Sequence, residues 1–181
     1  MRARVRLFLA AAAGALALLA AAWTGAFEGE GEAFRLREPG EALPRVALED
    51  LSGDRHALGD SGAGPQLWFF WSVFCPNCKE VMPDLARLHR DWGGRGLRIW
   101  AINVDGDRFS NAVRSYVRDV DLPFPVVYDR LEGDYLVAAD PLGVAKTPTL
   151  YLAGGDGRIS VRQVIEVDFE ALALALGKLA P

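Results

Sequence analysis

The order of strand-like and helix-like segments between residues 46 and 179 predicts one α/β domain, a central mixed sheet flanked by helices. Two apolar runs of strand length, residues 66–71 and 97–104, enclose an amphipathic segment. A second pair of strand-like segments, 148–153 and 159–167, is joined by the turn sequence Gly154-Gly155-Asp156-Gly157. A 21-residue stretch without charge, residues 7–27, stands apart from both at the amino end.

At 181 residues, 51% hydrophobic and 24% charged, the chain has the length of one ordinary domain with a small appendage. It is too charged for a multi-span membrane protein and too apolar for a disordered tail. Arg2, Arg4 and Arg6 precede the uncharged stretch and Glu28, Glu30 and Glu32 come after it. About 20 apolar residues suffice to cross a bilayer core. The pattern predicts a single membrane-spanning signal-anchor at residues 1–27, with the amino terminus in the cytoplasm and the rest facing the periplasm or cell exterior. The small residues Ala20-Ala21-Ala22 leave signal-peptidase cleavage as the alternative, which would release a soluble periplasmic or secreted protein. The continuation of the run through Trp23 and Phe27 supports the anchor, and no cysteine stands after it to carry a lipid. Residues 1–27 hold three of the 20 basic residues and none of the 24 acidic ones, so the remainder has 17 against 24, a net charge of −7. An acidic domain without a Lys/Arg block is expected to bind neither nucleic acid nor an anionic membrane surface.

Residues 28–41, with Gly, Glu and Pro and little apolar periodicity, read as a linker, and the domain spans 42–181. Strands at 46–48 and 55–58 around Ser52-Gly53-Asp54 predict an amino-terminal β-hairpin extension. Residues 66–71 predict a strand buried on both faces. From Pro76 to Trp92, Val81, Leu85 and Leu88 recur at helical spacing opposite Lys79, Asp84, Arg87 and Arg90, and Gly93-Gly94 ends the helix. Residues 97–104 predict a second buried strand, and 105–120 an amphipathic helix capped by Asp105 or Asp107. A short strand at 125–128 and a short helix at 131–139 come next. The hairpin strands 148–153 and 159–167 and a helix at 168–179 close the domain.

The chemistry rests on Cys75 and Cys78, the two cysteines of the chain. Three residues apart, they close no long loop and cannot staple a fold. They stand where the strand 66–71 gives way to the helix 76–92, so the first sulfur lies at a helix amino terminus. Unpaired amides and the helix dipole there favour a thiolate. Pro76 suits the first helical position because its missing N–H is not needed. Cys75 is expected to be the nucleophile that attacks a substrate disulfide, and Cys78, one turn further in, the resolving thiol. With only His56 and His89 besides, and neither at finger-like spacing, the pair is not half of a zinc site. No metal and no cofactor is expected. Thr147-Pro148-Thr149 precedes the apolar Leu150-Tyr151-Leu152, which places a proline at the start of a strand. A Cys-x-x-Cys at the junction of the first central strand and helix of an α/β domain makes the fold thioredoxin-like.

The stretch Phe70-Trp71-Ser72-Val73-Phe74-Cys75-Pro76-Asn77-Cys78-Lys79-Glu80-Val81-Met82-Pro83 resembles the active-site segment of the membrane-anchored TlpA/ResA/CcmG group of thioredoxin-like proteins. The likeness continues through Gly143-Val144 and Thr147-Pro148-Thr149 to Gly155-Asp156-Gly157-Arg158-Ile159, and so covers residues 42–178. It implies an extracytoplasmic thiol:disulfide oxidoreductase that reduces disulfides in exported proteins, apocytochromes c among them, and takes electrons from a membrane donor of DsbD or CcdA type. It implies a cis Thr147–Pro148 bond lying against the sulfurs, and a substrate surface made of Thr147, Pro148, Phe74 and Trp71. Auxiliary roles for Pro76 and Glu80, a helix-kinking Pro83 and a monomeric state go with it.

Three positions depart from the group. Phe74 stands where Trp commonly precedes the first Cys. Val81 occupies the place where many members carry Glu, and Glu80, one residue earlier, is turned about 100° around the helix. Phe69 holds the position of thioredoxin's buried Asp. Both usual proton acceptors for Cys78 are therefore missing, which predicts deprotonation by water or by a carboxylate from elsewhere in the fold.

Two other activities compete with disulfide exchange. A peroxiredoxin-like thiol peroxidase would use Cys75 alone, with Ser72 standing for the Thr of Pro-x-x-x-Thr-x-x-Cys, but its Pro position is Trp68. A noncatalytic anchored binding module would use the Thr147–Pro148 edge and leave the cysteines idle.

Overall fold

The computed structural model describes residues 34–62 and 64–179. The predicted anchor at 1–27 lies outside them, and no helix among the described residues is long and apolar enough to cross a membrane.

The chain runs β1 (Val46–Asp50), β2 (Arg55–Leu58), β3 (Gln66–Trp71), α1 (Pro76–Trp92), β4 (Arg98–Asn103), α2 (Ser110–Val120), β5 (Val126–Tyr128), β6 (Leu131–Glu132), β7 (Tyr135–Leu136), β8 (Thr149–Ala153), β9 (Ile159–Val164) and α3 (Phe169–Leu179). Seven strands form one mixed sheet in the order β2-β1-β5-β4-β3-β8-β9, and β6 pairs with β7 alone. β3, β4 and β5 are parallel to one another, and the remaining pairs are antiparallel.

Local chemistry explains the ends of the elements. Asp50 turns the first hairpin by accepting hydrogen bonds at one carboxylate oxygen from the amides of Ser52 and Asp54, at 2.7 and 3.1 Å. β3 is buried along its whole length. Leu67, Phe69 and Trp71 point into one core, and Trp68 and Phe70 into the other.

The connections β3–α1–β4 and β4–α2–β5 step across the sheet in the same direction, so right-handed crossovers put both helices on one face. α1 buries Cys78, Met82, Leu85 and Leu88 there, α2 buries Val113, and α3 adds Leu172 and Leu176. The opposite face is covered by Leu43, Leu58 and the chain around Val137–Val144. Asp129 holds that segment, accepting from the amides of Ala138 and Ala139 at 2.9 and 2.8 Å. The Tyr151 hydroxyl donates to the Leu142 carbonyl at 2.7 Å. Gly143, at φ +67°, passes so close to the backbone of Arg35 that a Cβ would overlap it.

Four expectations need correction or comment. Residues 131–139 are not a helix: Leu131 and Glu132 pair with Leu136 and Tyr135 as a hairpin around Gly133, whose φ of +65° a helix would not accept. The helix expected from 105 begins at Ser110, after a 3-10 turn over Asp107–Phe109, and has no side-chain cap. The strand expected to reach 167 stops at Val164, because Ile165 turns the chain at φ +70°. Within the segment read as a linker, residues 37–40 are tied to the domain by hydrogen bonds from Arg37 N to Leu142 O, 3.2 Å, and from Gly40 N to Ile159 O, 2.8 Å.

Candidate active site

The carboxyl end of β3 delivers the chain to Cys75, which caps α1 in an extended conformation with φ −92° and ψ 108°. Its Sγ accepts the N–H of Cys78 at 3.2 Å, so one unpaired amide of the helix terminus is already directed at the sulfur. Pro76 opens the helix as expected, and the helix continues through Pro83. Cys75 and Cys78 are joined as a disulfide with their Cα atoms 5.3 Å apart. Cys78 is wholly buried, whereas Cys75 is half-buried. A reactant arriving from solvent therefore meets Cys75.

The Thr147–Pro148 peptide is cis. The Thr147 carbonyl oxygen lies 3.5 Å from Cys75 Sγ. The Thr149 hydroxyl donates to Lys146 O at 2.7 Å, and Ile165 N–H donates to Pro148 O at 2.7 Å. These two bonds fix the chain on either side of the proline.

Asp105 fixes the loop before the cysteines. One of its carboxylate oxygens accepts the Ser72 hydroxyl at 2.5 Å, the other the Val73 N–H and the Asn103 side-chain amide at 2.7 Å each. Ser72 in turn receives the N–H of Phe74 at its hydroxyl, 3.1 Å, and that of Cys75 at its carbonyl, 3.1 Å. Asp105, expected as a helix cap, is instead the anchor of the active-site loop. The signal for this lies in the strand pairing: β3 and β4 run parallel with Trp71 opposite Asn103, so the residues just after Asn103 must lie beside those just after Trp71. The same bonds commit the Ser72 hydroxyl to Asp105, away from the peroxide-orienting role that a peroxidase would need.

The remaining candidates fall in different places. Phe74 is 61% exposed, edge-on to Phe109 with ring centroids 4.8 Å apart, and the Arg108 guanidinium lies 4.6 Å over Phe109. Trp71, expected on the substrate surface, is fully buried, with its ring 5.6 Å from that of Tyr116. A strand with both faces covered leaves it nowhere else to point, so it supports the site from within. Glu80 is exposed, while Phe69 and Val81 pack in the apolar cluster that contains Cys78. The two positions where an acid could face the inner sulfur are thus filled by hydrocarbon.

Beside Phe109 a groove of about 720 Å³ opens between Val104–Arg108 and Tyr128–Leu131. Asp129, at its floor, has its carboxyl pushed up to about 6, chiefly by burial, against the lowering effect of its two amide donors. Burial likewise raises the Tyr116 hydroxyl and pushes that of Tyr151 up to about 12. Among the described residues, no group of three or more His, Cys, Asp or Glu could hold a metal ion.

A family model described as the AhpC/TSA family matches residues 39–162. The chain belongs to the AhpC/TSA family. Its relatives include the thiol-disulfide oxidoreductase ResA of Bacillus thuringiensis subsp. konkukian, 30% identical over 144 residues that make up 80% of each chain. Among solved structures, a protein described as a thiol:disulfide interchange protein DsbE from Chlorobium tepidum superposes with a TM-score of 0.67 at 21% identity, over 79% of this chain and 100% of that one. The thioredoxin domain of a thiol-disulfide oxidoreductase from Bacteroides vulgatus does so with a TM-score of 0.68 at 18% identity, over 80% and 99%. At these identities the structures establish the thioredoxin-like fold. The ResA relatives place this AhpC/TSA member in the TlpA/ResA/CcmG-like group and make it a protein-disulfide oxidoreductase.

Proposed function

We propose that this oxidoreductase works outside the cytoplasm, tethered by residues 1–27, and reduces disulfides in exported proteins, with apocytochromes c as one class of target. The observation that carries the proposal is Cys75 at the amino end of α1, half-exposed and 3.5 Å from the carbonyl of the cis Thr147–Pro148 edge. The acidic net charge of the domain does not favour nucleic acid as a partner, and an oxidising exterior is where disulfides form and need to be managed. The charge pattern around residues 7–27 supports that address.

The reaction divides into two exchanges. In the reduced protein, the Cys75 thiolate attacks one sulfur of the target disulfide, and the other target sulfur leaves as a thiolate and takes a proton from solvent. Cys78, after losing its own proton, attacks Cys75 Sγ and releases the second target thiol. Two electrons have then passed to the target, and the protein is left as the Cys75–Cys78 disulfide. A membrane dithiol donor of DsbD or CcdA type would return it to the dithiol by the reverse sequence.

The Cys78→Ser variant halts the cycle after the first exchange. Expressed in full length, it is expected to carry exported cysteine-containing proteins bonded to Cys75, released by dithiothreitol and identifiable by mass spectrometry. A folded Cys78→Ser protein that accumulates no such adducts would overturn the proposal.

A further inference from the structure

Two described residues other than glycine have positive φ, Asp121 at 46° and Ile165 at 70°. The place of Asp121 accounts for it: it ends α2, with its N–H bonded to Val117 O at 3.2 Å, and a short polar side chain tolerates this conformation. Ile165 has no such account. A β-branched side chain crowds the backbone at positive φ, and glycine would make the same turn without that cost. Nor does burial compensate, since Ile165 is 38% exposed.

Its backbone is nonetheless part of the site. Ile165 N–H holds Pro148 O at 2.7 Å, and Pro148 comes directly after the Thr147 carbonyl that lies 3.5 Å from Cys75 Sγ. Phe74, next to Cys75 in the chain, is 61% exposed. The Cys75 loop, and the turn after β9 that holds the Thr147–Pro148 edge, therefore each show a large apolar side chain to solvent. Strained backbone clusters at active sites and ligand clamps.

We propose that Ile165 is a specificity-determining residue: its side chain receives an apolar residue of the target polypeptide next to the cysteine under attack. The inference rests on the disulfide exchange proposed above and names the chemistry of the target segment. The backbone needs only the turn. The side chain is what glycine could not supply.

The test uses full-length reduced protein, wild type and Ile165→Gly, with three oxidants: disulfide-linked peptides carrying Leu beside the cysteine, the same peptides carrying Ser, and oxidised glutathione. Wild type is expected to react faster with the Leu peptide than with the Ser peptide. Ile165→Gly should lose that preference, with a fall of about fivefold on the Leu peptide, the scale of exposing part of one aliphatic side chain. On the Ser peptide and on glutathione its rate should fall by less than on the Leu peptide, and its thermal midpoint should equal or exceed that of wild type. Ile165→Leu should keep the preference, and Ile165→Asn, which tolerates the turn, provides the same reading should the glycine variant not fold. A preference retained in Ile165→Gly or Ile165→Asn would overturn the inference, as would an equal fall on all three oxidants. Wild-type protein that reduces none of the three would instead overturn the exchange function itself.

Discussion

One face of the sheet is covered by α1, α2 and α3, the other by hairpins and irregular chain, and both enclose an apolar core. On the helical face the backbone satisfies its own hydrogen bonds, so the side chains that touch the sheet are free to be hydrocarbon: Met82, Leu85, Val113, Leu172. On the other face the covering chain around Val137–Val144 has only the short 3-10 turn Asp140–Leu142 to pair its own amides and carbonyls, and the rest need other partners. Side chains provide them, and polar groups are buried for that purpose: Asp129 accepts two amides and the Tyr151 hydroxyl donates to the Leu142 carbonyl. The difference shows why a buried acid survives in a small domain. It replaces missing secondary structure.

Mutations that strike each face by its own mechanism sharpen the contrast. Leu85→Ala, on the helical face, is expected to cost about 2–5 kcal/mol of unfolding free energy, the transfer and cavity cost of a fully buried leucine. Chemical denaturation would measure it. A loss below about 1 kcal/mol, outside the range for such a truncation, would mean that α1 is held by something other than packing.

Asp129 on the other face should make stability depend on pH. Its folded-state carboxyl titrates at about 6, above its ordinary 3.8. The folded protein therefore keeps that proton longer than the unfolded chain. The contribution is fully present below about pH 4 and is lost as pH rises through about 6, to a limit of about 3 kcal/mol. In Asp129→Asn the uncharged amide removes this dependence, so the stability difference between variant and wild type should change between about pH 4 and about pH 7. A difference that stays constant over that range would break the comparison.

Tyr151→Phe is the mildest of the three. It deletes the hydroxyl on Leu142 O while keeping the ring, at a cost of about 1–2 kcal/mol. Exchange activity at Cys75 should be retained, because the lost bond lies under the irregular cover and not in the active-site loop.

The same contrast decides how much of the molecule is legible in the sequence. Val81, Leu85 and Leu88 recur at helical spacing, so α1 and its buried face can be read directly, and with them the position of Cys75 at a helix terminus. The Thr147–Pro148 edge is reached by resemblance; the residues alone indicate only a proline beginning a strand. Residues 131–139 carry no period that separates a hairpin from a helix. Only the left-handed Gly133 distinguishes them, and its φ is not visible in its letter. Asp105 reads as a cap because a cap is a local signal, whereas its partners Ser72 and Val73 come from a neighbouring strand through the register of β3 on β4. Trp71 is expected both on the substrate surface and in a strand covered on both faces, and the second expectation is the physical one.

The complete burial of Cys78 behind a half-exposed Cys75 has a consequence for durability. A peroxide that reaches the site meets Cys75 first and converts its thiolate to a sulfenic acid, the step from which further oxidation becomes irreversible. Cys78 is one helical turn away and out of the oxidant's reach. Its sulfur condenses with the sulfenic acid, expels water and leaves the ordinary disulfide. In the proposed cycle the damaged intermediate would thus rejoin as the ordinary disulfide, and whatever reductant restores the dithiol would repair it without having to recognise it as damage.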